Sequence, residues 1–308
     1  MYSLHKEYAS DGSIDPLKSY QKLFLIENEE VIFYGRTVSS STLEAHERNK
    51  LPRHAKGYSR LCATQNLVDA YFMDNGLPID DPASGYSETA IDKFVPNMYV
   101  NREPRFYASI TYSGMILPNS GKRADFLADG RDGMNKNKTW PSTGYLVYKR
   151  VSPSTTVSPK FFPIRRPIYI RLGEIYLNYA EALNEYYGPD HIDIRKYVGL
   201  VRERAGLTID SYFPVGLSKE EMRDRIWHER QVELALEGLR YFDINRWKTA
   251  EKILNKDFYG MNMAAKTLTE YVQRTKFETR IFKKSFYLFP IPQGEIERNK
   301  NLVQNYGW

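Results

Sequence analysis

Residues 169–187 read YIRLGEIYLNYAEALNEYY, and this stretch decides the fold class. Its apolar residues follow the i, i+3, i+4, i+7 spacing of one helix face: Leu172, Ile175, Tyr176, Tyr179, Ala180 and Leu183. The pair Gly188-Pro189 comes next and predicts the end of the helix, because proline cannot continue one. We therefore expect a long amphipathic helix that buries one face.

Three further helices are predicted downstream. The first covers residues 192–205 and is followed directly by a glycine, which is typical of a helix C-cap. Ser218 and Glu221 form a capping box that opens the second helix, which reaches about residue 237. The third covers residues 239–254. Paired helices with short connections and no strand pattern between them predict a mainly α protein built as an array of helix hairpins.

Residues 1–160 have a different character and are rich in loops. Short apolar stretches at 30–34 and 106–110 are separated by turn-forming residues, and one short helix is predicted at 65–73. Residues 119–159 consist mainly of Gly, Asp, Asn, Lys, Ser and Pro. A connection of this length without periodicity is usually functional or mobile.

The composition excludes several classes of protein. The chain of 308 residues is 42% hydrophobic, which excludes global disorder. No uncharged apolar run reaches the roughly 18 residues of a membrane-spanning helix. Cys62 is the single cysteine, so an intramolecular disulfide framework and a cysteine-based zinc site are excluded.

The net charge of +6 only weakly favours an acidic partner. Basic residues are concentrated between Arg36 and Arg60, but Glu44 and Glu47 interrupt the run. No recognised nucleic-acid-binding module surrounds it. We interpret this stretch as a solvated surface or a docking face, and we predict no nucleic-acid partner.

A row of carboxylates is the first candidate for chemistry. Glu229, Glu233 and Glu237 are spaced i, i+4, i+8 on one predicted helix face, a spacing that could serve acid–base catalysis. Arginines lie close to them in the sequence: Arg225, Arg230, Arg240 and Arg246. Because charge-paired carboxylates are usually held ionised for structural reasons, we interpret the row as an ion-pair clamp. A glycan-cleaving enzyme is therefore the least favoured function.

Other catalytic and metal-binding patterns are absent from the sequence. The five histidines show no H-x-H or H-E-x-x-H spacing. Residues 129–135 have the composition of a calcium loop, but the twelfth position from Asp129 is Trp140 where an EF-hand needs glutamate. No nucleophile elbow, P-loop or dinucleotide-binding motif is present. We predict no catalytic residue, no metal site and no cofactor.

Six segments, in order along the chain, together resemble the SusD/RagB family of Bacteroidetes nutrient-uptake lipoproteins. The two strongest are YIRLGEIYLNYAEALN at 169–184 and VRERAGL at 201–207. The other four are QNLVDAY at 65–71, PRFYASI at 104–110, ERQVELALEGLRYFD at 229–243 with Arg246-Trp247, and LFPIP at 288–292 with the tail that follows it.

The resemblance implies a mainly α fold in which TPR-like helix pairs support a loop-rich ligand-binding face. Residues 1–308 would form a single region of this kind, with the ligand face in 1–160 and the helical signature in 161–308. Because family members are usually longer, the resemblance also implies that an N-terminal part of the family protein is missing from this chain.

The same resemblance implies a non-enzymatic role at the outer membrane. The protein would be held there by a lipid anchor that this chain does not contain, and would bind a glycan or oligosaccharide, or in some members a peptide. It would pass the ligand to a SusC-like TonB-dependent transporter. The alternative is a TPR-like scaffold that binds a peptide or protein partner.

Ligand contacts cannot be transferred from the family, because its binding loops vary. Sugars need flat aromatic faces and polar groups around their hydroxyls. Four aromatic residues in the loops could supply such faces: Trp140, Tyr145, Tyr58 and Tyr86. Trp227 and Trp247 lie on predicted helices and are assigned to the scaffold.

Overall fold

The computed structural model describes residues 1–89, 91–92 and 94–308. This part of the chain is predominantly helical, with short strands between the helices. Its helices are α1 (Pro16–Lys22), α2 (Ser40–Lys50), α3 (Gln65–Val68), α4 (Pro104–Ser109), α5 (Leu172–Tyr187), α6 (Ile192–Arg204), α7 (Lys219–Glu233), α8 (Arg240–Arg246), α9 (Ala250–Leu254), α10 (Leu268–Tyr271) and α11 (Gln293–Arg298).

The strands are two to five residues long and form two-stranded sheets. They are β1 (Val31–Tyr34), β2 (Ile91–Asp92), β3 (Val95–Pro96), β4 (Ile110–Tyr112), β5 (Ile116–Leu117), β6 (Lys122–Arg123), β7 (Tyr145–Val147), β8 (Thr156–Val157), β9 (Lys160–Phe161), β10 (Ile168–Arg171), β11 (Asp257–Gly260) and β12 (Thr275–Thr279). The pairs are β1 with β10, β2 with β3, β4 with β7, β5 with β6, β8 with β9 and β11 with β12.

The helix that decides the fold starts three residues later than predicted. Residues 169–171 belong to β10, which pairs antiparallel with β1 and places Val31 opposite Arg171. The backbone N–H of Leu172 donates to the carbonyl of Glu30 at 2.9 Å, and the helix begins there. Pairing with a strand some 140 residues upstream in the chain is a non-local effect that helical periodicity does not register.

The predicted caps of α6 and α7 are confirmed. Gly206 follows α6 with φ +80°, a left-handed conformation that favours glycine. At the start of α7 the Ser218 hydroxyl accepts from the Glu221 N–H at 3.2 Å, and the Glu221 carboxylate accepts from the Ser218 N–H at 2.8 Å. This reciprocal pair is a capping box.

Other predicted boundaries were wrong. Helix α7 ends at Glu233, before residue 237, and the helix expected at 239–254 is divided into α8 and α9, with Lys248 between them at φ +58°. The helix expected at 65–73 stops at Val68. The apolar stretch 106–110, for which no element was predicted, is mostly the helix α4, which proline opens.

The helical core is a hairpin array, as predicted. Helix α5 packs against both α6 and α7. The buried faces of α5 and α6 include these apolar side chains: Leu177, Ala180, Leu183, Ile194, Val198 and Val201. Alanine at the centre of the α5 face lets the neighbouring helix approach closely. No helix in the described part of the chain is both long and apolar enough to cross a membrane.

The chain divides into two compact units. The first consists of Met1–Glu233 and Tyr259–Thr275, and the second of Leu234–Phe258 and Lys276–Trp308. The ligand face was predicted in residues 1–160 and the helical signature in 161–308. Residues from both of these ranges belong to the first unit. The second has a small core of its own, in which Trp247 packs against Ile244, Ala250 and Phe282.

Candidate functional site

Glutamates and arginines form a buried ion network in the core of the first unit. Its members each expose 2% or less of their surface: Glu30, Glu103, Glu229, Glu233, Arg105, Arg171, Arg202 and Arg204. Arg105 bonds Glu103 at 2.6 Å, Glu229 at 2.6 Å and Glu233 at 3.0 Å. Arg202 bonds Glu229 at 2.9 Å.

Glu30 and Glu233 share the two remaining arginines. The Arg171 guanidinium lies 2.8 Å from the Glu30 carboxylate and 2.7 Å from that of Glu233. Arg204 contacts the same two carboxylates. Burial alone raises the pKa of Glu233, but Arg204, Arg171 and Arg105 outweigh it and lower that pKa to about 2. Glu233 is therefore ionised at neutral pH and cannot donate a proton to a leaving group.

This network confirms the structural interpretation of Glu229 and Glu233, although its arginines are not those that neighbour them in sequence. Of the predicted partners, Arg225 donates to the Tyr212 carbonyl and Arg230 to the Asn178 side chain. Glu237 lies beyond the end of α7, so it does not share a helix face with the other two. Contacts that join α4, β10, α6 and α7 cannot be read from helical spacing.

The predicted ligand residue Tyr86 lies in a group of charged side chains that we call the Tyr86 cluster: Asp69, Tyr86, Glu88 and Arg274. Arg274 binds Asp69 through both terminal nitrogens, at 2.6 and 3.0 Å, and its Nε lies 3.1 Å from Glu88. The hydroxyl of the half-buried Tyr86 donates to Glu88 at 3.2 Å. Burial, with Glu88 and Asp69 nearby, raises the pKa of Tyr86.

A second predicted residue, Tyr145, is connected to this cluster from the interior. Its hydroxyl accepts from the Tyr99 hydroxyl at 2.9 Å and donates to the Gln65 side chain. The amide of Gln65 in turn donates to Asp69 at 2.6 Å. Tyr145 is completely buried, so it offers no face to a ligand. Tyr145 supports the Tyr86 cluster through Gln65 and Asp69. Its assignment as a ligand contact was therefore wrong.

The other two predicted residues lie elsewhere in the loops. Tyr58 is half-buried, and the guanidinium groups of Arg48 and Arg60 lie over its ring at 4.1 and 5.2 Å from the centroid. A sugar stacking on Tyr58 would compete with these cations. Trp140 is half-buried in the segment between β6 and β7, directly before Pro141. Tyr86 is thus the predicted aromatic that lies beside surface carboxylates.

Two adjoining cavities form a second candidate site, which the sequence did not predict. We call them the arginine groove. A cavity of about 420 Å³ and one of about 140 Å³ share four lining residues, Phe24, Arg165, Arg166 and Ile168. The larger is also lined by Ile26, Glu27, Tyr34 and Ile164, and the smaller by His46, Lys50 and Arg150. The adjacent Arg165-Arg166 pair between two prolines was the available signal.

Ser120, His54 and Asp132 form a hydrogen-bonded row that resembles a hydrolytic triad. His54 Nε2 lies 3.0 Å from the Ser120 hydroxyl, and Nδ1 lies 2.8 Å from the Asp132 carboxylate. A nucleophilic serine needs free N–H groups for the oxyanion. The N–H groups of Ser120 and Gly121 both donate to the Leu117 carbonyl, so neither is free to bind an oxyanion.

The described residues contain no group of three or more His, Cys, Asp or Glu side chains that could hold a metal ion. The segment 129–135 is a turn-rich loop in which Asp129 accepts from Asn135 at 2.7 Å and faces Lys266 at 3.5 Å. The hydrogen bond from Asn135 and the positive charge of Lys266 lower the pKa of Asp129. These contacts occupy a carboxylate that the composition had suggested as a calcium ligand.

Comparison with known proteins identifies the family. A sequence profile of the SusD family matches residues 29–308 and so spans both compact units. This chain belongs to the SusD family. Proteins of the SusD family are associated with the outer membrane and cell surface of Bacteroidetes.

Two SusD-like proteins of Formosa agariphila are similar to part of the chain. SusD-like protein P2 is 34% identical over 142 residues, and SusD-like protein P25 is 32% identical over 140 residues. These segments make up 45% and 46% of this chain and 25% of each relative.

Solved SusD-like structures share the fold. One from Bacteroides fragilis covers 100% of this chain with 27% identity and a TM-score of 0.78. A SusD-like carbohydrate-binding protein from the same species covers 90% with 24% identity and a TM-score of 0.70. The aligned part is 59% of the first chain and 55% of the second, so this chain spans less than two thirds of their length. The prediction of a mainly α, TPR-like fold is confirmed.

Proposed function

We propose that the protein binds glycans without cleaving them and passes them to a SusC-like TonB-dependent transporter at the outer membrane. Membership of the SusD family supports this proposal, as does the carbohydrate-binding role named for one protein of the same fold. In this proposal a lipid anchor holds the protein at the cell surface, and the chain acts by capture and release.

The observation that carries the binding step is the Tyr86 cluster. Sugar hydroxyls pair with carboxylates and guanidinium groups, and the C–H face of a sugar packs on an aromatic ring. Tyr86 supplies such a ring, and Asp69, Glu88 and Arg274 surround its hydroxyl end. In this proposal, Trp140 and Tyr58 extend the loop face, while Tyr145 positions Gln65 and Asp69 from the interior.

The absence of cleavage in this proposal has a physical basis. A glycosidase needs one carboxylic acid that stays protonated near neutral pH and a second carboxylate across the scissile bond. The carboxylates at the most suggestive sequence spacing, Glu229 and Glu233, are buried, and their arginine partners lower the pKa of both. Each carboxylate is already bonded to guanidinium groups and neither reaches the surface.

The test is isothermal titration of the purified chain with neutral oligosaccharides and peptides, with the ligand analysed afterwards for intact bonds. We expect an intact glycan to bind. Replacing Tyr86 by alanine should weaken that binding about tenfold, because it removes the ring. Tyr86→Phe keeps the ring and should lose less affinity.

Tyr2→Ala is the matched control, because Tyr2 lies near the N-terminus and exposes 55% of its surface. It should leave affinity unchanged. Equal binding by Tyr86→Ala and the wild type would contradict the assignment of the site. Binding of peptides but of no glycan would favour the scaffold alternative, and cleaved product would contradict the non-enzymatic role.

A further inference from the structure

The arginine groove is distinct from the Tyr86 cluster in its residues and in its charge. Among the described residues that line it, four side chains are basic: Lys50, Arg150, Arg165 and Arg166. The acidic side chain in the lining is Glu27, which is 69% exposed and lies 3.5 Å from Arg166. Glu47, buried behind the lining, pairs with Arg165. Basic side chains therefore outnumber acidic ones among these lining residues.

Neutral groups help to hold two of these cations in place. Arg166 donates through Nε to the Gly35 carbonyl at 3.0 Å, and its guanidinium lies 4.8 Å from the centre of the Tyr34 ring. Lys50 donates to the Lys149 carbonyl at 2.9 Å. Carbonyls and ring faces fix a cation in position without cancelling its charge.

The pKa of Lys50 reflects its burial beside other cations. Burial, followed by the nearby charges of Arg150 and Arg165, lowers the pKa of Lys50 to about 8, while Glu47 opposes the shift. A lysine in this state gains from an anion placed beside it. The smaller cavity, which Lys50 lines, is large enough for a carboxylate or sulfate group.

The larger cavity adds surfaces that suit a sugar ring. Phe24, Ile26, Ile164 and Ile168 form an apolar lining, and Tyr34 contributes an aromatic ring with a polar end. Its volume of about 420 Å³ is within the range of small-molecule sites. The two cavities meet at Arg165 and Arg166, so one ligand can present a ring to the larger and an anionic group to the smaller.

We infer that the arginine groove binds an acidic sugar, with a carboxylate or sulfate group between Lys50, Arg150 and Arg165 and the sugar ring beside Tyr34 and Arg166. The inference rests on the proposed function insofar as the ligand is a glycan. It adds the chemical class of that ligand and a site separate from the Tyr86 cluster.

The experiment is titration of the full chain with two matched trisaccharides, β-1,4-linked glucuronic acid and β-1,4-linked glucose. The two trisaccharides differ in the carboxylate groups, which the glucuronic acid trisaccharide carries and the glucose trisaccharide lacks. We expect the acidic trisaccharide to bind at least tenfold more tightly in low salt and to lose affinity as salt is added, because salt screens the interaction. Inorganic sulfate, the third probe, tests whether any small anion suffices and should bind more weakly than the acidic trisaccharide.

Two substitutions locate the site. Arg166→Gln removes one cation from a side chain that is 39% exposed, and should lower affinity for the acidic trisaccharide about tenfold. Glu27→Gln removes the acidic group of the lining and should raise that affinity about threefold, which gives a test even if the first variant folds poorly. Arg298→Gln, at a 78% exposed position in the second unit, is the matched control and should change nothing.

The outcomes separate this inference from the proposed function. Equal binding of both trisaccharides, with no effect of Arg166→Gln or Glu27→Gln, would overturn the groove and leave neutral glycan binding at the Tyr86 cluster intact. Inorganic sulfate binding as tightly as the acidic trisaccharide would overturn the assignment to a sugar. Acidic binding that responds to Tyr86→Ala but to neither groove variant would also overturn it.

Discussion

At the scale of single residues, Glu233 is a carboxylate of the ion network with three arginine partners. It contacts Arg105, Arg171 and Arg204, and no part of it is exposed. Desolvating several charges is costly, so such a network contributes less to stability than its short distances suggest. Removing one member is different, because the buried charges that it contacted are then left with fewer partners to offset their desolvation.

We predict that Glu233→Ala lowers the free energy of unfolding by about 3–5 kcal/mol, since three buried guanidinium groups lose a shared carboxylate. Chemical denaturation measures this change. Glu220→Ala, on the same helix at a position 73% exposed, is the control and should stay within about 0.5 kcal/mol of wild type. Glycan affinity, expressed per folded molecule, should be unchanged by Glu233→Ala. Normal stability with lost binding would place Glu233 in the ligand site.

The same residue predicts a dependence of stability on pH. The folded-state pKa of Glu233 is about 2 and its usual value is 4.5, so the unfolded chain takes up a proton first as the pH falls. The stabilisation is complete above the unfolded value and is lost as the pH falls toward the folded one. Between about pH 5 and about pH 3, this group alone should cost the wild type about 2 kcal/mol.

Denaturation curves over that pH interval for wild type and Glu233→Gln check this prediction. The variant lacks the ionisable group, so its stability should fall less steeply with decreasing pH, whatever its starting value. Identical slopes would mean that Glu233 keeps an ordinary pKa in the folded protein.

At the scale of elements, the start of α7 can be tested directly. Ser218→Ala removes the acceptor for the Glu221 N–H and should lower the free energy of unfolding by about 1 kcal/mol. Ser218→Thr keeps a hydroxyl and should restore most of this loss. Thermal or chemical denaturation of the wild type and the two variants measures these differences in stability. Equal stability of the alanine and threonine variants would show that the cap contributes little.

Elements could be predicted where their signals are local. The caps of α6 and α7 depend on residues within one helical turn, so Gly206 and the Ser218–Glu221 pair were readable from the sequence. The start of α5 depends on the pairing of β10 with β1, and the interruption of the last predicted helix depends on the left-handed backbone of Lys248. Neither leaves a periodic pattern in the sequence.

At the scale of the whole molecule, the fold was more predictable than the site. Helical periodicity and ordered motifs were sufficient for the mainly α fold, because each motif is a short continuous stretch of the sequence. The Tyr86 cluster joins Asp69 and Glu88 to Arg274, whose partners lie about 200 residues away in the sequence. The sequence could nominate Tyr86 and Tyr145 as aromatic residues but could not show that one is partly exposed and the other buried.

The ion network also has a consequence for dividing the chain. A cut in the connection between β7 and β10 would leave Glu30, Glu103 and Arg105 on one fragment and the remaining members on the other. The first group carries excess negative charge and the second excess positive charge. After the cut, each group would lose the buried, oppositely charged side chains that it contacts in the intact chain. Neither fragment should be stable alone, but the two should recognise and complement each other when mixed. The first unit is in this sense a natural candidate for fragment complementation, with reconstitution itself as the reporter.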